Sequence, residues 1–200
     1  MLRLKDNESG LTIIELIYVM AASSILIITL YVFTSNIVND FMKMQAKGLA
    51  QSKLTDGSFR LIQVLRGVNY IESASDDGIT AYAYFAPQDA YTSKISYYLS
   101  ADQRQLIAEV TPMTADYPIG TLITANTKTV VIIDGFYKIP GSPTFKYYTS
   151  TFSEISAPVS DLQSIKNISV NLYARHYESN DQLYSSSSVT TNLRNRKTNL

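Results

Sequence analysis

The sequence predicts an α+β protein: a long N-terminal helix, membrane-spanning in its first half, whose second half packs on an antiparallel β-sheet domain. Three observations predict it. An apolar run covers residues 11–33. Large apolar residues then continue at helical spacing to Leu65, and no proline occurs before Pro87. Past residue 78 the pattern turns to strand-like alternation broken by prolines and by Asp134-Gly135.

The chain begins with a short charged stretch holding Arg3, Lys5, Asp6 and Glu8, and this stretch ends at Gly10. Residues 11–33 follow with one charged side chain, Glu15. At about 1.5 Å per residue the run is about 34 Å long as a helix, enough to cross a hydrocarbon core with slight tilt. A secretory signal peptide fits poorly. Its leader should be basic and its apolar stretch shorter, whereas mostly apolar residues continue beyond the small Ala21-Ala22-Ser23-Ser24 segment. A plain signal anchor explains the run but not the glutamate. A carboxylate inside a spanning helix costs about 2.5–3.5 kcal/mol, reduced where it escapes to the interface one turn in.

Taken as one unit, Gly10-Leu11-Thr12-Ile13-Ile14-Glu15-Leu16 resembles the leader junction of type IV prepilins and pseudopilins. In that family a membrane-embedded prepilin peptidase cuts after a glycine and methylates the new N-terminus, and the fifth mature residue is glutamate. The resemblance implies cleavage between Gly10 and Leu11, N-methylation of Leu11 and subunit docking through Glu15. Leu11 stands where the family usually has phenylalanine. A side-chain-free glycine allows close approach of a protease to the backbone. The amine that cleavage creates and the Glu15 carboxylate are each costly alone in low dielectric, so pairing them between neighbours sets register. Arg3 and Lys5 precede the span and Lys43 and Lys47 follow it, so positive charge alone does not orient it. The resemblance implies a cytoplasmic leader and an external C-terminal domain.

The helix is expected to continue from about residue 11 to about residue 66. Phe33, Ile37, Phe41 and Met44 recur at helical spacing, as do Phe59, Ile62 and Leu65. Phe41 and Phe59 are five turns apart at about 3.6 residues per turn and so share a face. Gly48 and Gly57 weaken the helix by about 1 kcal/mol each; two helices joined near Gly57 are the alternative. Three segments follow from this: a leader at 1–10, a transmembrane helix at 11–35 and a soluble domain at 36–200, its first part, 36–66, helical.

Strands are expected where alternation is clean: Ile79, Ala81, Ala83 and Phe85; Ile95, Tyr97 and Leu99; Leu106, Ala108 and Val110; and Ile168, Val170, Leu172 and Ala174. Residues 100–104 read as a hairpin loop. Residues 129–133 form a continuous apolar run closed by Asp134-Gly135, and residues 145–148 form a short strand. Pro112, Pro118, Pro140, Pro143 and Pro158 are expected between strands. The strand order and the end of the chain resemble J-type minor pseudopilins of type II secretion and W-type minor pilins. The match rests on Ser188, Val189, Leu193, Arg194 and Asn195. That resemblance implies a minor subunit near a filament tip, active in assembly initiation.

No catalytic constellation is legible. The formal net charge is zero, which argues against tight nucleic-acid binding by the whole domain. There is no cysteine, hence no disulfide framework, thiolate metal site or cysteine nucleophile. His176 is the single histidine, so neither a triad nor a histidine-rich metal centre can form around a second one. Asp76-Asp77-Gly78 reads as a turn, with a cation loop as the competing reading. Asn167-Ile168-Ser169 matches a glycosylation sequon but falls in a strand. Arg194, Arg196 and Lys197 make a small basic tail. No cofactor is expected. The expected function is a structural pilin or pseudopilin, not an enzyme. Its expected partners are a prepilin peptidase, other pilins or pseudopilins, an inner-membrane assembly platform and the membrane. The alternative is an envelope binding protein tethered by an uncleaved signal anchor.

Overall fold

The structure, a computed structural model, describes residues 12–175 and 184–194. Helix α1 runs unbroken over Ile13–Arg66. Among the described residues nine strands follow: β1 (Tyr70–Ala74), β2 (Gly78–Ala83), β3 (Ser93–Leu99), β4 (Gln105–Pro112), β5 (Lys128–Asp134), β6 (Phe145–Tyr148), β7 (Glu154–Ile155), β8 (Asn167–Arg175) and β9 (Tyr184–Asn192). The layout is the expected α+β one, and the strands form two antiparallel sheets instead of one. The chain divides into two compact units, Met1–Gln45 and Ala46–Leu200.

In the first unit, described from residue 12, the helix is alone and every described residue is exposed. Two of its hydroxyls bond back to the helix: Ser24 Oγ donates to Ala21 O at 2.8 Å, and Thr29 Oγ1 donates to Ile25 O at 2.8 Å. Such back-bonding satisfies polar side chains on the helix itself, as an apolar surrounding requires. This helix is long and apolar enough to cross a membrane.

In the second unit the helix buries a stripe made of Ala50, Leu54, Gly57, Ser58, Leu61, Val64 and Leu65. The spacing is the three-and-four alternation of an amphipathic helix. Of the expected Phe59, Ile62 and Leu65, only Leu65 is fully buried; Phe59 is 70% exposed and Ile62 half-buried. Gly57 shows why. A Cβ there would lie 2.6 Å from Ile133 Cγ1 and 3.3 Å from the Ile132 carbonyl oxygen. Strand β5 approaches the helix backbone at this position, so Gly57 is a packing site and not a joint.

Strands β1 to β5 form a sequential meander, each paired to the next. The hairpin over residues 100–104 is as expected, closed by the Ser100 N–H to Gln105 O bond at 2.9 Å. Strand β2 ends at Ala83, so Phe85 lies beyond it. Its N–H and that of Ala86 donate to Asp89 Oδ2, which turns the chain out of the sheet. Pro112 is the last residue of β4, not a loop residue. The apolar run in β5 is an edge strand, with Val131 45% exposed.

The second sheet has the order β7-β6-β8-β9. Two sets of bonds tie the sheets together. On one side Phe145 N–H donates to Asp76 O at 2.9 Å, and the Tyr147 hydroxyl donates to Ser75 O at 2.8 Å. On the other, Phe136 N–H donates to Arg104 O at 2.7 Å, and Tyr137 N–H donates to Tyr173 O at 2.8 Å. The helix joins the second sheet through the Ser58 and Ser187 hydroxyls, 2.9 Å apart. One apolar cluster results, with Leu54, Leu61, Ile95, Leu106, Ile168 and Leu172 among its members.

Candidate functional site

The helix start is built from Thr12 and Glu15. The first turn of any helix leaves backbone N–H groups without intrahelical acceptors. Thr12 Oγ1 accepts from Glu15 N–H at 3.3 Å. In return Glu15 Oε2 accepts from Thr12 N–H and from the Thr12 hydroxyl, both at 3.4 Å. This is a reciprocal capping box. A carboxylate in the first turn also faces the positive end of the helix dipole, a gain of about 0.3–1 kcal/mol. Glu15 is exposed, and so are its neighbours Ile13, Ile14, Leu16 and Ile17. A charged head thus opens a helical segment that carries no other charge through Phe33 and is mostly apolar. Gly10 and Leu11, the expected cleavage pair, lie outside the described residues.

The other expected site residues fall in distinct places. Asp76-Asp77-Gly78 is the turn between β1 and β2, closed by Ser75 N–H to Gly78 O at 2.8 Å. Asp77 is occupied by protein groups: Lys138 Nζ and the Thr144 hydroxyl both donate to its Oδ1, the latter at 2.8 Å. Lys138 Nζ also donates to Ser142 O at 2.7 Å. Burial alone would raise the Asp77 carboxyl, but the bonds from Lys138 and Thr144 outweigh it and hold it below the ordinary carboxylate range. Among the described residues no group of three or more His, Cys, Asp or Glu side chains is placed to hold a metal ion. Asp134-Gly135 turns the chain toward the second sheet, with Gly135 at φ 78°, a conformation glycine adopts without strain.

Asn167 is buried at 1% exposure, and its Nδ2 donates to Thr149 O at 2.8 Å. A sequon held this way offers its amide to the fold and not to a glycan. Ser188 and Val189 lie on β9, paired with Asn171 and Val170. Leu193 is buried and its N–H donates to Lys166 O at 2.9 Å. Arg194 is exposed. His176, Asn195, Arg196 and Lys197 lie outside the described residues.

Two clusters escaped the sequence reading. Tyr117 stacks on Tyr70 at 4.7 Å and leans on Tyr82 at 4.3 Å between ring centres. Glu72 accepts from the Tyr82 hydroxyl and from Lys94 Nζ. Burial first, and the Glu72 bond second, push the Tyr82 phenol up to about 12. The only sequence signal was the abundance of tyrosine, which does not say which rings meet. The second cluster, around Arg104 and Arg175, joins residues 71 positions apart and has no local signature.

Comparison with protein-family models finds none that matches this sequence, and comparison with curated proteins finds none that matches either.

Proposed function

We propose that this chain is the precursor of a minor pilin or pseudopilin. A prepilin peptidase cuts it after Gly10 and methylates Leu11. The helix then anchors it in the membrane with the C-terminal domain outside the cytoplasm. Assembly moves it into a type IV pilus or a type II secretion pseudopilus, near the tip, through contacts with other pilins and the inner-membrane platform. It is a structural subunit and not an enzyme.

One observation carries this reading. Glu15 heads an exposed apolar helix, and that helix continues without a break into the stripe that the domain buries. An anchor that merely tethers needs no such continuity and no charge near its start. A subunit that must be drawn from a membrane into a stack of similar helices uses both.

A second reading is favoured by the capping box itself. Thr12 and Glu15 satisfy one another within the chain. A tethered binding protein with an uncleaved anchor therefore has a use for Glu15 without any neighbour.

The mature N-terminus decides between them. The chain is expressed with the matching peptidase and its N-terminal peptide is measured by mass spectrometry. Leu11 with one added methyl group is expected. An intact Met1 supports the tether.

A further inference from the structure

A groove of about 550 Å³ opens at the seam of the two sheets, floored by Phe136 and Tyr137. The floor is fixed from both sides by the Phe136 N–H to Arg104 O and Tyr137 N–H to Tyr173 O bonds. Three cations line it: Arg104 from the β3–β4 hairpin, Lys138 from the loop after β5, and Arg175 from the end of β8. They are not equivalent. Lys138 is neutralised by Asp77. The Arg175 guanidinium lies over the Tyr137 ring, 4.8 Å from its centre. Arg104 has Asp102 nearby, but Asp102 Oδ1 is already taken by the Ser100 hydroxyl and the Arg104 backbone N–H. The ion pairs among the described residues are Lys94–Glu72, Lys138–Asp77 and Lys146–Glu154. Among the described residues no ion pair engages Arg104 or Arg175, and both line this one groove.

We propose that this groove binds the carboxylate of an acidic residue in a peptide segment of a partner protein. Guanidinium groups hold a carboxylate through paired, directed N–H bonds, and Arg175 is already oriented by its ring. A nucleic acid fits less well. Three cations line the groove and one of them, Lys138, is paired with Asp77, so a run of phosphates finds no extended basic surface to follow. The faces of Tyr137 are engaged by Arg175 and by Tyr184, whose ring centre is 5.9 Å away, so they give a base no platform. A peptide has one carboxylate to offer the two arginines that line the groove, and backbone N–H donors for Asp102 Oδ2 at the same rim. This inference does not rest on the filament reading.

The full chain in detergent micelles is titrated with a fluorescent, end-blocked Gly-Gly-Glu-Gly-Gly peptide, and anisotropy is read. Saturable binding is expected, with no binding of the Gln counterpart. Arg104→Gln and Arg175→Gln should each weaken binding by about tenfold, and the Lys replacements by less, since they keep charge but lose the fork. Lys53→Gln, on the exposed helix face, should change nothing. Near-UV circular dichroism checks that each variant stays folded. The proposal is overturned by equal binding of the Gln peptide, by no binding of either, or by folded arginine variants that bind normally. It is also overturned if Lys53→Gln weakens binding as much, or if inorganic phosphate or a single-stranded oligonucleotide displaces the peptide at equal concentration.

Discussion

Glu15 has one use in the structure and a second in the proposed filament. In the isolated chain its Oε2 turns back to Thr12, at bonds of 3.4 Å that are long for a carboxylate. In the filament proposed above, the same carboxylate would instead pair with a neighbour's amine. Weak local bonds are what an exchangeable partner requires, because breaking them costs little. Glu15→Gln keeps the size and most of the cap. The variant is expected to be cleaved after Gly10 and to reach the membrane, yet to be absent from purified filaments. Normal incorporation, read by immunoblot of the filament fraction, would show that Glu15 does not carry docking. Loss of cleavage would move its role to the peptidase. At Gly57 the expectation runs against propensity. Alanine improves an exposed helix by about 1 kcal/mol. Here its Cβ meets Ile133 Cγ1 at 2.6 Å, so Gly57→Ala should destabilise by about 1–3 kcal/mol. Ile133→Ala in the same chain should recover part of that loss, a coupling that a thermal-melt double-mutant cycle measures.

Among the elements, the β1–β2 turn matters more than its length suggests. Asp77 ties it to Lys138 and Thr144, and the Asp76 carbonyl receives the first N–H of β6. The turn therefore joins the two sheets. Because the folded Asp77 carboxyl is held below its unfolded value of about 3.9, its contribution is present above that value. It disappears as pH falls through the lower folded value. Melting temperature of the full chain in micelles should thus decline on acidification below about pH 4, and Asp77→Asn should flatten that decline. An Asn variant with an unchanged acid limb would remove Asp77 from the cause. Elements also explain which strands were legible. Strands β2, β3, β4 and β8 alternate cleanly, because one face meets the core. Strand β1 is interrupted by a bulge between Ile71 and Ser73, and β9 is mostly serine and threonine. Serine has no strand preference of its own, so the pairing of β9 is dictated by β8.

For the whole molecule, the division of labour falls along the helix. All of its buried residues lie at Ala50 or beyond. A chain that starts at Asn36, or at Ala46, should therefore stay soluble without detergent and unfold in one cooperative transition. A chain that starts at Leu11 should need detergent, since residues 12–45 are exposed as far as described and largely apolar to Phe33. Failure of the shorter chains to show a cooperative melt by near-UV circular dichroism would mean that the domain depends on its anchor.

The sequence by itself determined the long helix, its membrane-competent first half, the change to strands after it and most strand positions. Each is a matter of local period and composition, which a chain carries without folding. The Gly10–Glu15 segment is equally local, and its proposed role is argued from the same kind of pattern. Tertiary structure alone decided which helix face is buried. The largest apolar residues, Phe41 and Phe59, pointed to one stripe, yet the core takes Ala50, Gly57 and Ser58 beside its leucines. Close approach of a strand selects small side chains, and the cost of crowding exceeds the gain from burying a ring. Tertiary structure also decided that Arg104 and Arg175 share a groove and that Asp77 has a cation. Those residues meet only after the strands have paired, and no spacing along the chain encodes a distance across a seam between sheets.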